Sequence, residues 1–201
     1  MIRNPHNFLI KTDPVLGAVI KRLGIIEQHK RSTNHFRALV ESIVSQQLSV
    51  KASDTIFKRF LKLFPGRGFP TPAMVLKMPS HKMRACGLSN SKVSFIKDLA
   101  EKIYRKELNL RQLQKWENEE VILHLTQVKG IGRWTAEMFL MFSLQRPDVF
   151  SHGDLGLRNA VKKLYGFKKL PSPKQIEKIV QKWSPHKTLA SRYLWRSLDN
   201  K

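Results

Sequence analysis

Apolar residues in this 201-residue chain recur at intervals of three and four, almost from end to end. Phe36, Leu39, Val40, Ile43 and Val44 follow the pattern. Ile56, Phe57, Phe60, Leu61 and Phe64 repeat it, and so do Val93, Ile96, Leu99, Ala100 and Ile103. That spacing lines one face of an α-helix, whereas a half-buried strand needs alternation of two. Strand-like alternation bounded by turns is scarce. The chain is therefore expected to be all-α, about ten short helices with tight connections and no sheet of any size. The punctuation agrees. Asp13-Pro14 and Thr71-Pro72 each set a capping oxygen ahead of a proline at a first helical position. Ser49 can cap the next helix, Gly87 can end a short one, and Pro65-Gly66 closes the helix that reaches Phe64. No internal repeat is visible, and only Leu170-Pro171-Ser172-Pro173 reads as a linker.

Charge narrows the class of partner. Lys and Arg number 37 against 15 Asp and Glu, a net charge of +22. The excess runs along the whole chain; residues 155–198 hold eleven basic side chains and one acid, Glu177. Solubility alone does not need so much, and self-repulsion strains a compact fold, so a polyanionic partner is expected. A membrane partner is not expected. Apolar runs such as Val15 to Ile20 are too short to cross a bilayer, and no basic amphipathic helix with an insertion face stands apart from the core pattern. The basic N-terminus lacks signal-peptide architecture. Cys86 is the single cysteine, which excludes an internal disulfide, a cysteine-ligated iron–sulfur cluster and a four-cysteine zinc site within the chain. The composition is that of a soluble, intracellular, nucleic-acid-binding protein.

The most informative segment is Leu125-Thr126-Gln127-Val128-Lys129-Gly130-Ile131-Gly132-Arg133-Trp134-Thr135-Ala136. An apolar helix expected over 119–127 runs into Gly130-Ile131-Gly132, and a second is expected over 133–144. Two glycines two apart permit a sharp turn and strip side chains from a place where a phosphate could approach. The amides after the turn suit an anion, and Arg133 adds charge there. An ordinary helix–helix turn would use the same spacing. A dinucleotide-binding loop is disfavoured, because no strand precedes the glycines.

Further on stand Arg146-Pro147-Asp148-Val149-Phe150-Ser151-His152-Gly153-Asp154 and Leu155-Gly156-Leu157-Arg158. Hairpin, glycine/proline loop and aspartate, in that order, resemble the helix-hairpin-helix-GPD superfamily of base-excision DNA glycosylases. Gly130 to Ala136 and Asp148-Val149-Phe150 resemble its 3-methyladenine DNA glycosylase II branch. So do Ile43-Val44-Ser45-Gln46-Gln47-Leu48-Ser49 and Gly87-Leu88-Ser89 with Lys92. The likeness covers residues 34–165.

The resemblance implies two helical subdomains flanking a DNA-binding cleft. One is formed by residues 1–31 with 145–201. The other is a multi-helix bundle over 32–144 that contains the hairpin at about 119–144. It implies Asp154 as the catalytic carboxylate, a position that also suits a helix N-cap; Asp148 is the rival acid. It implies Trp134, Met138 and Phe36 as the base pocket, with His35 and Trp195 as weaker candidates, all of which equally suit core packing. Met138 stands where the branch often has an aromatic ring. Lys129, Gly130, Ile131, Gly132, Arg133 and Thr135 are implied contacts to the DNA backbone, and Gln47 and Leu48 the wedge that fills the gap left by a flipped nucleotide. No organic cofactor is implied. A monovalent cation on the carbonyls of Thr126, Val128 and Ile131 is, bridging backbone and phosphate without performing chemistry.

The implied reaction makes chemical sense with a single acid. Breaking an N-glycosidic bond builds positive charge on the sugar, which a carboxylate stabilises. Alkylated purines already carry charge and depart without a strong general acid. An electron-rich ring such as Trp134 favours a cationic base by ~0.5–2 kcal/mol. Lyase relatives carry a lysine two residues after the second hairpin glycine, where this chain has Trp134. The expectation is a monofunctional, monomeric glycosylase acting on double-stranded DNA with alkylated bases, in the cytoplasm, nucleoid or nucleus. The alternatives are a glycosylase for deaminated or oxidised bases, or a non-catalytic DNA-binding hairpin module.

Overall fold

The computed structural model describes residues 4–27, 34–66 and 68–199, and every regular element among them is helical. In chain order these are α1 (Pro5–Thr12), α2 (Pro14–Leu23), α3 (His35–Ser45), α4 (Val50–Leu61), α5 (Pro72–Lys77) and α6 (Ser80–Ala85). There follow α7 (Asn90–Tyr104), α8 (Asn118–Leu125), α9 (Arg133–Met138), α10 (Leu155–Leu164), α11 (Pro173–Val180) and α12 (Lys187–Asp199). None of them is long and apolar enough to cross a membrane.

Local chemistry explains the starts. Asp13, Ser49, Thr71 and Ser89 each turn a side-chain oxygen onto an amide of the first turn of α2, α4, α5 and α7. The expected linker at 170–173 is irregular through Ser172 and passes there into a helix start. Ser172 and Gln175 form a reciprocal capping box, and Pro173 occupies the first position of α11. The expected single helix over 133–144 also needs correction. It is α-helical to Met138, and Phe139–Ser143 then widen into a π-helical turn. The turn ends where Gln145 adopts φ 55° and the Arg146 amide reaches the Leu140 carbonyl at 2.9 Å.

The chain forms two compact units, Met1–Arg31 with Leu140–Lys201, and Ser32–Phe139. The later crossing falls at 139/140, inside the widened turn, five residues before the expected 144/145. In the first unit α12 packs on α2 and α10 over Leu9, Leu16, Leu157, Trp183, Tyr193 and Leu194. In the second, α7 packs on α3, α5 and α6, burying Leu39, Ile43, Val75, Met83, Ile96 and Leu99.

The first unit is fastened by one buried carboxylate. Asp13 Oδ1 accepts the amides of Val15 and Leu16 at 3.0 and 3.1 Å, capping α2. Its Oδ2 accepts the Tyr165 hydroxyl at 2.6 Å and the Trp183 indole N–H at 2.9 Å. Four donors on one anion satisfy a group that burial would otherwise penalise. Burial and that carboxylate push the Tyr165 phenol above the usual tyrosine range.

Candidate functional site

In the second unit, α8 and α9 form the hairpin, and its two glycines do different work. Gly130 has φ 79°, and a Cβ there would overlap the Phe95 ring of α7, so both backbone and space demand glycine. A Cβ on Gly132 would meet no protein atom within 4 Å. Gly132 therefore leaves the backbone bare toward open space rather than toward a neighbour. The turn is pinned from outside: Gln46 Nε2 donates to the Gly130 carbonyl at 2.8 Å and the Lys129 amide to Asp98 Oδ2 at 2.9 Å. Lys92 in turn fastens the end of α3, donating to the carbonyls of Val44 and Gln46 at 2.7 and 2.8 Å. Burial pulls its ammonium below the usual lysine range. Gln46 and Lys92 thus hold the hairpin and the α3–α4 junction together. Local sequence reveals neither role, because the partners lie 46 to 84 residues away.

Several of the expected backbone contacts also have partners or burial within the protein. Arg133 is occupied: Nη1 and Nη2 contact Glu119 at 3.0 and 2.5 Å, and Nε contacts Glu137 at 3.0 Å. The guanidinium holds Glu119 below the usual carboxylate range and is itself raised by that bond. Its charge is neutralised within the protein. Ile131 is buried and its amide donates to the Val128 carbonyl at 3.1 Å, while Thr135 is buried in α9. Both anchor the hairpin core, and neither side chain reaches out. Lys129 keeps an exposed side chain, with its ammonium 3.9 Å from Asp98.

Among the pocket candidates, Trp134 is 49% exposed in the first turn of α9, and Met138 one turn on is half-buried. Phe36 is 7% exposed and packs edge-on against Phe69, 5.5 Å between centroids, as a core residue does. His35 is half-buried and packs edge-on against Phe139. Between α3 and α4, Gln47 holds φ 56°, a strained backbone for a side-chain-bearing residue, and Leu48 beside it is 39% exposed. The Thr126 hydroxyl turns back onto the carbonyls of Ile122 and Leu123. The backbone carbonyls of Thr126, Val128 and Ile131 are oxygen donors of the type hard cations take, and that of Val128 also accepts the Ile131 amide.

The first unit carries the acids. Asp154 is 8% exposed and is the N-cap of α10, its Oδ1 accepting the Leu157 amide at 2.7 Å. The same oxygen accepts the indole N–H of Trp195 at 3.0 Å. Trp195 thus stands beside the carboxylate as a donor, a role that its sequence distance of 41 residues conceals. Asp148 does other work: it accepts from the Ser184 hydroxyl at 2.7 Å and the Lys187 amide at 3.4 Å, at the start of α12. Two residues before Asp154, His152 faces Glu177 at 2.9 Å. The lone acid of residues 155–198 is spent on the loop that presents Asp154.

An all-helical fold with a glycine hairpin in one unit, and a glycine loop closed by a buried aspartate in the other, defines a class of DNA-repair protein. Residues 40–186 match the HhH-GPD superfamily of base excision DNA repair proteins, and the chain belongs to that superfamily. It is 39% identical over 163 residues to the DNA-3-methyladenine glycosylase 1 of Schizosaccharomyces pombe, 81% of this chain and 72% of that protein. The solved S. pombe 3-methyladenine DNA glycosylase in complex with abasic DNA superposes with a TM-score of 0.83 at 34% identity, covering 97% of this chain and 96% of that one. A DNA-3-methyladenine glycosidase from Bacillus halodurans gives a TM-score of 0.87 at 34% identity, covering 99% and 91%.

Proposed function

We propose that this chain is a base-excision DNA glycosylase that hydrolyses the N-glycosidic bond of alkylated purines in double-stranded DNA. The observation that carries the reading is Asp154: a nearly buried carboxylate held on one oxygen by two N–H donors, directly after a glycine loop. A fixed anion is what a reaction that builds positive charge on a sugar requires, and fixing it beforehand avoids reorganisation at the moment of bond breaking. The names of the S. pombe and B. halodurans relatives support the alkylated base as substrate. Trp134 supports a cationic base, through its electron-rich face, and a hydrolytic rather than lyase reaction, because it stands where a lyase carries its lysine. Gln47 and Leu48 serve as the wedge. Lys129 and the bare backbone at Gly132 grip phosphate, and the carbonyls of Thr126, Val128 and Ile131 would hold a monovalent cation, which would supply further positive charge at the hairpin.

The test is base release from duplex DNA treated with a methylating agent, with the freed bases separated chromatographically. The wild type is expected to release methylated purines. Asp154→Asn is expected to lose the rate by about 100-fold or more, the scale of removing a preorganised charge from a reacting centre. A wild type that binds the duplex and releases nothing would redirect the function to neutral lesions or to binding alone.

A further inference from the structure

The Asp154 carboxylate is not held by its own helix alone. The Leu157 amide is an ordinary cap bond from the first turn of α10. The second donor, the Trp195 indole, comes from α12. Seven residues before Trp195 on α12 stands Thr188, and seven residues are two turns, so both lie on one face. The Thr188 hydroxyl donates to the Arg146 carbonyl at 2.6 Å and accepts the Val149 amide at 3.2 Å; its own amide donates to the Pro147 carbonyl at 2.9 Å. One helix face thus grips both ends of the loop over 146–154: its entry through Thr188, its exit through Trp195.

Gly156 makes the second grip possible. A Cβ there would lie 3.0 Å from Asp154 Oδ1 and 3.2 and 3.3 Å from Cδ1 and Nε1 of Trp195. The Phe142 ring is tilted beside the indole, with ring centroids 6.0 Å apart. The indole therefore has one seat. With Oδ1 held from two directions, rotation of the carboxylate plane is opposed, and the direction of its other oxygen is restrained with it.

We infer that Trp195 is a positioning residue for the Asp154 carboxylate, with Gly156 as the gap that seats its indole. This rests on the reading of Asp154 as the catalytic carboxylate. A misplaced reacting group of this kind costs about tenfold to a hundredfold in rate.

The experiment measures single-turnover excision from methylated duplex at saturating protein, and separately Kd for a duplex holding a neutral abasic analogue. The variants are Asp154→Asn, Trp195→Phe, Gly156→Ala and the Asp154→Asn/Trp195→Phe double. Trp195→Phe keeps a ring and removes the donor. It is expected to slow excision by about tenfold to a hundredfold with Kd unchanged within about twofold, and Gly156→Ala to do the same. In the double variant the second change is expected to cost nothing further, because its target is already gone. A signature independent of turnover is the Trp195 indole N–H resonance, identified among the four tryptophans by its loss in Trp195→Phe. It is expected to move upfield in Asp154→Asn, whose neutral side chain accepts more weakly. Full-rate excision by Trp195→Phe beside an inactive Asp154→Asn overturns the inference. So does a further multiplicative loss in the double variant, which would place Trp195 on the base rather than on the carboxylate. A wild type that releases no methylated base refutes the underlying reading of Asp154, and the positioning role with it. If Trp195→Phe does not fold, Gly156→Ala carries the same comparison, and its full activity is equally fatal.

Discussion

Asp13 shows at the residue scale how one side chain can decide whether a unit holds. Its carboxylate joins the start of α2, the end of α10 through Tyr165, and the short helical turn before α12 through Trp183. Asp13→Ala removes a cap and strands one buried donor, the Trp183 indole, and one half-buried donor, the Tyr165 hydroxyl. Each unsatisfied buried group costs about 1–3 kcal/mol and a lost cap about 1 kcal/mol. The expected loss is about 3–5 kcal/mol of unfolding free energy, measured by urea denaturation followed by tryptophan fluorescence. Tyr165→Phe removes a single bond and keeps the ring, so about 1 kcal/mol is expected. Equal losses in the two variants would show that Trp183 and the α2 cap contribute nothing beyond Tyr165. The sequence signalled part of this residue and hid the rest. Asp13-Pro14 is a recognisable helix start, but partners 152 and 170 residues away leave no local trace.

At the scale of the element, the hairpin separates charges that look alike in the sequence. Lys129 and Arg133 flank the same two glycines, yet Arg133 faces Glu119 and Glu137 while Lys129 has an exposed stem and a distant partner. Releasing a counterion from B-DNA contributes roughly −0.9 to the slope of log K against log salt for each phosphate neutralised. Lys129→Ala is therefore expected to flatten that slope by roughly 0.9, measured by fluorescence anisotropy on a labelled duplex. Arg133→Ala should leave the slope nearly unchanged and lower the melting temperature instead, because Glu137, 7% exposed, loses the positive charge 3.0 Å away. A slope change in Arg133→Ala as large as in Lys129→Ala would mean that DNA strips Arg133 from its carboxylates. Gly130→Ala should fail at both tasks, since its Cβ collides with Phe95 and its backbone is left-handed. Linear spacing located this turn because two glycines and two apolar helices are local signals. It could not show that Arg133 pairs with Glu119 and Glu137 or that the Ile131 and Thr135 side chains are buried, because pairing and burial depend on which helix packs behind.

On the scale of the whole molecule, the helical period and the capping residues were enough to read an all-α chain, since both act within a few residues. Two features could not be read that way. The widened turn at 139–143 depends on how the chain packs after α9, and Trp195 acquires its donor role only when α12 returns beside α10. The charge was legible in full, because it needs no geometry. Residues 1–31 with 140–201 hold 19 basic and 6 acidic side chains, and residues 32–139 hold 18 and 9, so both units are cationic. Charge spread in this way reads phosphate and not lesion. Two binding curves follow from it, one on an intact duplex and one on the same duplex with a neutral abasic analogue. Both affinities should fall steeply with salt, and their log–log slopes should agree to within about one phosphate, roughly 0.9. The ratio of the two affinities would then stay constant from low to physiological salt, because the proposed function rests lesion recognition on Trp134, the Gln47–Leu48 junction and shape rather than on ion release. Slopes that differ by the equivalent of two or more phosphates would sink this division of labour. They would place part of the cationic surface on the distorted backbone at the lesion, making charge a reader of damage as well as a source of affinity.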